Sequence, residues 1–362
     1  APAFLLPAPA RHEAAMRPED LLVPTPLGLY CPPADIHVDP LRPVERALIT
    51  HGHSDHARPG HHAVMATRET LEIMALRYGD NFAQATQPAA IGETIRVGEV
   101  ELSFHPAGHV RGSAQIRFAW RGFVAVVSGD YKRASDPTCA PFAPQRCDLF
   151  VTEATFGLPV FRHPPARAEA EKLIASTRLF PERAHLVGAY PLGKAQRVMA
   201  LLRETGWERP IYIHGALEKL TELYQREGVD LGEVRKVAGQ ARAELGGAIV
   251  LCPPGAMQDL WSRRFPDPVA CFASGWMRVR ARARQRGVEL PLVISDHADW
   301  DELCATVVET GCEHLWVTHG EEDALVHWAS ARGLAARPLR LVGYGDEETA
   351  ESADAAGAEA SA

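Results

Sequence analysis

The sequence has no Cys-x-x-Cys pair and no apolar run near the ~20 residues that a membrane-spanning helix needs. It also has no internal repeat at the periods of stacked-repeat proteins. The first absence disfavours a thiolate zinc site. The second leads us to expect no membrane span. The seven cysteines are odd in number and not closely paired, which argues against a disulfide framework. Several lie in apolar stretches such as VLCPP and ACFAS and read as small buried hydrophobes, so a cytoplasmic setting is expected. The N-terminal AFLLPAPA is too short and too rich in proline for a secretion signal and lacks a basic flank. Residues 1–15 read as a loose leader ahead of Met16.

Bases are outnumbered too, 38 Lys and Arg against 46 Asp and Glu. The formal net charge is −8, which at first disfavours a polyanionic partner. Its distribution changes that view. DEETAESADAAGAEASA (346–362) holds six acids and no base, so the residues ahead of it carry only about −2. This tail is expected to be disordered. RVRARARQR (278–286) packs five arginines into nine residues, so the body can still present a basic groove.

What is present is material for a core: 46% of the 362 residues are hydrophobic and 23% are charged. That length suggests roughly two to three domains. ALIT (47–50) is a short apolar run, and RETLEIMALRYG (68–79) has helical spacing. VELSFHPAG, SAQIRFAW, GFVAVVSGD and DLFVTEATFG read as strands. From about 160 the pattern changes. Helices near 166–178, 193–205 and 215–227 alternate with HLVGAY, IYIHGA, AIVLC and VACFAS, as a small parallel α/β unit would. PLVISDHAD, HLWVTHGE and LRLVGY then read as strands again, with helices near 299–310 and 321–332 between them.

The densest chemistry follows ALIT. In THGHSDH, His51, His53, Asp55 and His56 fall within six residues at the end of a strand-like run. On an extended segment His51 and His53 point to one side, while Asp55 and His56 follow where the chain turns. One loop can thus seed two adjacent metal sites. Imidazole and carboxylate suit Zn²⁺, with Mn²⁺ or Fe as substitutes. One loop cannot complete both sites. His109 in AGHVRGS and Asp130 in VVSGDYKR, each at a strand end, are the candidates to supply the rest, with Asp130 able to bridge.

Together these residues resemble a known family. Asp39 in DIHVDP, then HGHSDH, AGHVRGS and VVSGDYKR, resemble the metallo-β-lactamase fold. TEATFG with Glu153, SDHAD with His297 and VTHGE with His319 resemble motifs A, B and C of the β-CASP nucleases. The likeness covers about residues 22–345. It is nearest to the bacterial DNA-ligase-associated exonuclease group through LGLYCPPADIHVDPLRPVERALITHGHSDHARPGH and SGWMRVR…SDHADW.

The resemblance implies an α/β fold, a metallo-β-lactamase αββα sandwich with an inserted β-CASP cap. It implies a first domain from 16–159 and 289–345, a cap over 160–288, and the tail beyond. It implies two divalent ions, zinc or manganese. His51, His53 and His109 would hold one; Asp55, His56 and His319 the other; Asp130 would bridge them. Asp39 would orient a ligand histidine. Glu153 and His297 would act at the leaving group, His297 as proton donor. Lys132, Arg133, Lys194, Ser274, Gly275 and Arg278 are the candidate substrate contacts, with Lys194 reading as a phosphate holder at a helix start. Trp276 is a candidate to stack on a base.

The implied function is a metal-dependent DNA exonuclease in repair, acting on single strands or free ends and associated with a ligase and a helicase. One departure favours RNA instead: Glu153 and His319 stand where DNA-repair members usually have Asp and Val, as in the RNA-processing members. The longer matching stretches favour DNA. Small-ester hydrolases of the same fold lack a cap with these motifs. A metal-free scaffold would have eroded ligands, and all are intact here.

Overall fold

Ala47 and Leu48 are neighbours in one strand, face opposite ways, and are both buried. That alternation builds the molecule. The computed structural model describes residues 16–339 and 341 and arranges its strands in three sheets.

The first sheet takes its six strands in chain order: Val23–Thr25, Gly28–Cys31, Ile36–Val38, Arg46–Leu48, His61–Ala66 and Ala83–Pro88. The second has seven, in the order Ala335–Pro338, His314–Gly320, Leu149–Ala154, Phe123–Val127, Ala114–Trp120, Val100–Pro106 and Ile95–Val97. Leu29, Val38 and Leu48 of the first sheet share a core with Leu102, Phe104, Ile116, Phe118 and Val151 of the second. Truncating a fully buried aromatic there, such as Phe118, costs about 3–5 kcal/mol. On its other face the first sheet packs Ala47, Ile49 and Val64 with Met74 of the helix Arg68–Tyr78. The second sheet packs Phe150 and Ala154 with Leu303, Val307, Leu325 and Ala329 of the helices Trp300–Thr310 and Glu322–Ser330.

The third sheet is parallel throughout, as the alternating helices and apolar strands predict. Its order is Val234–Lys236, Ile211–Ile213, Ile249–Cys252, His185–Gly188, Val269–Ala273 and Leu290–Leu292. The helices Ala166–Leu179, Lys194–Glu204 and Glu218–Arg226 pack on it, and Ile73 of the first unit joins their core.

Two expectations shift. Leu290–Leu292, read from PLVISDHAD as returning to the first domain, pairs with Val269–Ala273, so the third sheet runs past the boundary expected at 288. The last described strand is Ala335–Pro338, ahead of LRLVGY, most of which lies outside the described residues. The leader and the acidic tail lie outside them as well. Among the described residues, no helix is long and apolar enough to cross a membrane.

Candidate metal centre

Phe123–Val127, Leu149–Ala154 and His314–Gly320 run parallel, so their C-terminal ends share one rim. Asp130, Glu153 and His319 sit at that rim, and the Thr50–His56 loop reaches it from the end of Arg46–Leu48 in the other sheet. Gly129 makes the approach possible. A Cβ there would lie 2.7 Å from the Thr50 Cβ. Two of the non-glycine residues in left-handed backbone are at the site, Asp39 at φ 44° and His319 at φ 57°.

His51, His53, His109 and Asp130 bring one ligand atom each to within 4.8 Å of one another, and so do His56, Asp130 and His319. Asp130 is common to both groups. Asp55 is in neither, although its Oδ2 lies 3.8 Å from His56 Nε2. The loop itself is not extended. Its turn, with His56 N and Ala57 N donating to the His53 carbonyl, brings the rings together.

The outer hydrogen bonds orient the rings of His51, His53, His56 and His109. Asp39 Oδ2 accepts from His56 Nδ1 at 2.8 Å and from Thr50 Oγ1 at 2.7 Å. The Thr50 hydroxyl, its own proton given to Asp39, accepts from His51 Nδ1 at 3.0 Å. His109 Nδ1 donates to the Asp296 carbonyl at 2.9 Å, and His53 Nε2 to the Leu192 carbonyl at 3.3 Å. These bonds turn the other ring nitrogen of His51, His53, His56 and His109 towards Asp130 and the neighbouring rings. His53 Nδ1 and His109 Nε2 are 2.9 Å apart. His51 Nε2 and Asp130 Oδ1 are buried without a hydrogen-bond partner among the described residues. This donor set fits divalent cations.

Electrostatics agree. Burial and the nearby His56 hold the His51 pKa well below the ordinary value. Burial, again with His56, pulls His319 down to about 3. Both are neutral, the form that ligates. Burial also opposes charge on His56, but Asp130 and Asp55 outweigh it and its pKa rises well above normal. Asp130 is lowered, with burial opposing and His56 dominating. His56 and Asp130 thus form an ion pair, and a cation bound there would have to displace its proton.

Beside it, His297 Nδ1 donates to Glu153 Oε2 at 2.8 Å. Glu153 also accepts from Tyr131 N at 2.7 Å and from Thr155 Oγ1 at 2.6 Å. Asp130, Glu153 and His297 form a third close group. These three bonds occupy the Glu153 carboxylate, which makes it an orienting partner of His297. The backbone around His297 is held by Ser295 and by the helix that begins three residues later, where Asp299 and Glu302 cap each other.

The candidate substrate contacts fare unevenly. Lys132, expected at a phosphate, is buried against Asp136; burial and Arg197 pull its pKa to about 8. Arg133 forks onto Glu309 at 2.8 and 2.9 Å. Lys194, read as a phosphate holder, is only 3% exposed and paired with Asp296. The Ser274 hydroxyl caps Trp276 N. A Cβ on Gly275 would lie 2.4 Å from the Phe156 ring, so close packing explains that glycine. Trp276 lies between Phe156 and Arg282, whose guanidinium sits 3.9 Å from its ring. Arg278 is exposed.

Some residues at the site escaped the sequence reading. The Asp296 carbonyl holds the His109 ring, and Arg197 donates to the His109 carbonyl. His163, read as unremarkable, packs its ring 4.6 Å from Phe156, which is itself 6.1 Å from His297. Burial pulls its pKa to about 4. Only the adjacency of Asp296 to His297 was a signal in the sequence.

No family profile matches the chain. A probable DNA ligase of Opitutus terrae is 27% identical over 315 residues, covering 85% of this chain and 30% of that protein. A ribonuclease of Thermus thermophilus is 28% identical over 214 residues, covering 51% of this chain and 49% of the relative. The chain spans less than half the length of either. A solved protein of unknown function from Enterococcus faecalis shares the fold, with a TM-score of 0.51 at 13% identity over 75% of this chain and 74% of that one.

Proposed function

From the resemblance to the metallo-β-lactamase-fold β-CASP nucleases, which these relatives bear out, we propose a two-metal nuclease that hydrolyses DNA phosphodiester bonds from an end, in repair. The observation that carries this reading is the convergence of His51, His53 and His109, and of His56 and His319, on the one carboxylate of Asp130. We read the two facing sheets and their outer helices as the metallo-β-lactamase sandwich. The third-sheet unit is the β-CASP cap, taken to residue 292.

His51, His53, His109 and Asp130 would hold one cation; His56, Asp130 and His319, with Asp55 beside them, would hold the other. Zn²⁺ suits the imidazoles, and Mn²⁺ suits the carboxylates. A bound cation supplies Lewis acidity to the phosphoryl oxygens and a water that ionises near neutral pH. Asp39 and Thr50 keep the ring protons turned outward. His297, oriented by Glu153, would donate a proton from Nε2 to the leaving oxygen. Substrate is drawn in by charge. Arg278, Arg280, Arg282 and Arg284 have no carboxylate partner among the described residues, whereas Arg46, Arg96, Arg162 and Arg183 do.

DNA is favoured by the similarity along most of the chain to a probable DNA ligase, which also makes a ligase the natural partner. RNA is the second reading, favoured by the ribonuclease relative and by Glu153 and His319. End-labelled single-stranded DNA and RNA of one sequence, incubated with Mn²⁺ or Zn²⁺, test the choice. The proposal expects stepwise shortening of DNA. Cleavage of RNA alone would reverse it.

A further inference from the structure

The sequence YPLGKAQ, singled out for its lysine, has no part in the chemistry above. Its backbone does. Gly193 has φ 80° and ψ −63°, the conformation of a γ-turn that disfavours any side chain. The Leu192 carbonyl closes that turn by accepting from Lys194 N at 3.0 Å, and the same oxygen accepts from His53 Nε2. Gln196 locks the turn from behind. Its side chain accepts from Gly193 N at 2.9 Å and donates to the Pro191 carbonyl at 3.0 Å. A Cβ on Gly193 would lie 2.4 Å from Val110 Cγ1, next to His109.

The same segment reaches the second histidine indirectly. Lys194 is paired with the Asp296 carboxylate and donates to the Ile294 carbonyl at 3.1 Å. Arg197, buried, donates to the Ser295 carbonyl and, at 3.2 Å, to the His109 carbonyl. Both cations thus hold the stretch whose Asp296 carbonyl orients the His109 ring.

We infer that the Tyr190–Arg197 segment is the positioning device of the first metal group. Its Leu192 carbonyl turns His53, and its Lys194 and Arg197 hold the backbone that turns His109. Gly193, Gln196, Lys194 and Arg197 are positioning residues. Two histidines carried by the sheets of one unit take their ligating tautomer from carbonyls on or braced by the other. The group is therefore complete only when the third-sheet unit is docked. This rests on the reading of His51, His53, His109 and Asp130 as metal ligands.

The test is Co²⁺ binding to the full chain, followed by the visible ligand-field spectrum, with thermal unfolding measured on metal-free protein. Gly193→Ala forces the turn away from Val110. Lys194→Met combined with Asp296→Asn releases the second brace without leaving a charge unpaired. Each is expected to bind Co²⁺ about 10–100-fold more weakly than the unaltered chain, with a shifted spectrum, while still unfolding cooperatively. Should Gly193→Ala not fold, the double variant decides by the same readings. Folded variants with unaltered affinity and spectrum would overturn the inference. An unaltered chain that binds no Co²⁺ would remove the metal reading itself.

Discussion

Asp39 Oδ2 lies 2.8 Å from His56 Nδ1, and the same oxygen holds the Thr50 hydroxyl that turns His51. One carboxylate thereby sets the tautomer of a histidine in each metal group. Asp39→Asn keeps the shape but removes the charge that anchors both donors. Metal affinity is expected to fall about 10–100-fold. Asp39→Ala leaves buried donors unmet and costs a further 1–3 kcal/mol or so of stability. Metal titration and urea unfolding of the two variants separate these effects.

His297 and His53 make a contrasting pair. His297→Ala removes the proton donor and is expected to lower turnover about 10²–10⁴-fold with metal content retained. His53→Ala is expected to lose metal as well. Metal analysis of both purified variants checks this; equal loss in both would make His297 a ligand.

Glu227 gives the acid response of the junction between the units. Arg68 first, then Arg111, hold its pKa down at about 2, against an ordinary 4.5. A carboxylate lowered on folding contributes stability that is present above 4.5 and is lost as pH falls towards 2. Glu227→Gln is therefore expected to destabilise by about 1 kcal/mol at neutral pH. The difference from the unaltered chain should shrink as pH falls from 4.5 through about 2, as read by denaturant unfolding across that range.

The arginine run predicts a salt effect. Affinity for single-stranded nucleic acid should fall steeply with ionic strength. Arg280→Ala and Arg284→Ala should each lower the slope of log affinity against log salt by about 1. Fluorescence anisotropy over a salt series measures it. A flat response would take these arginines off the substrate path.

How far the sequence could be read depended on whether a signal was local. The helix expected over 68–79 is Arg68–Tyr78, and the parallel third sheet follows from alternating apolar runs and helices. HGHSDH was legible because its candidate ligands are crowded. Lys194 was misread because a lysine opening a helix looks exposed; its partner Asp296 is 102 positions away, beyond any local pattern. Leu290–Leu292 was placed with the first domain because it adjoins SDHAD, although its pairing is with Val269–Ala273. The roles of the Leu192 and Asp296 carbonyls were invisible, since a backbone atom leaves no mark in residue type.

The most direct test of the account is anomalous diffraction from crystals grown with Zn²⁺, recorded above the zinc absorption edge. The account predicts two peaks, one among His51, His53 and His109 and one between His56 and His319, with Asp130 reaching both. Absence of density at both positions, or an ion bound only elsewhere, would contradict it.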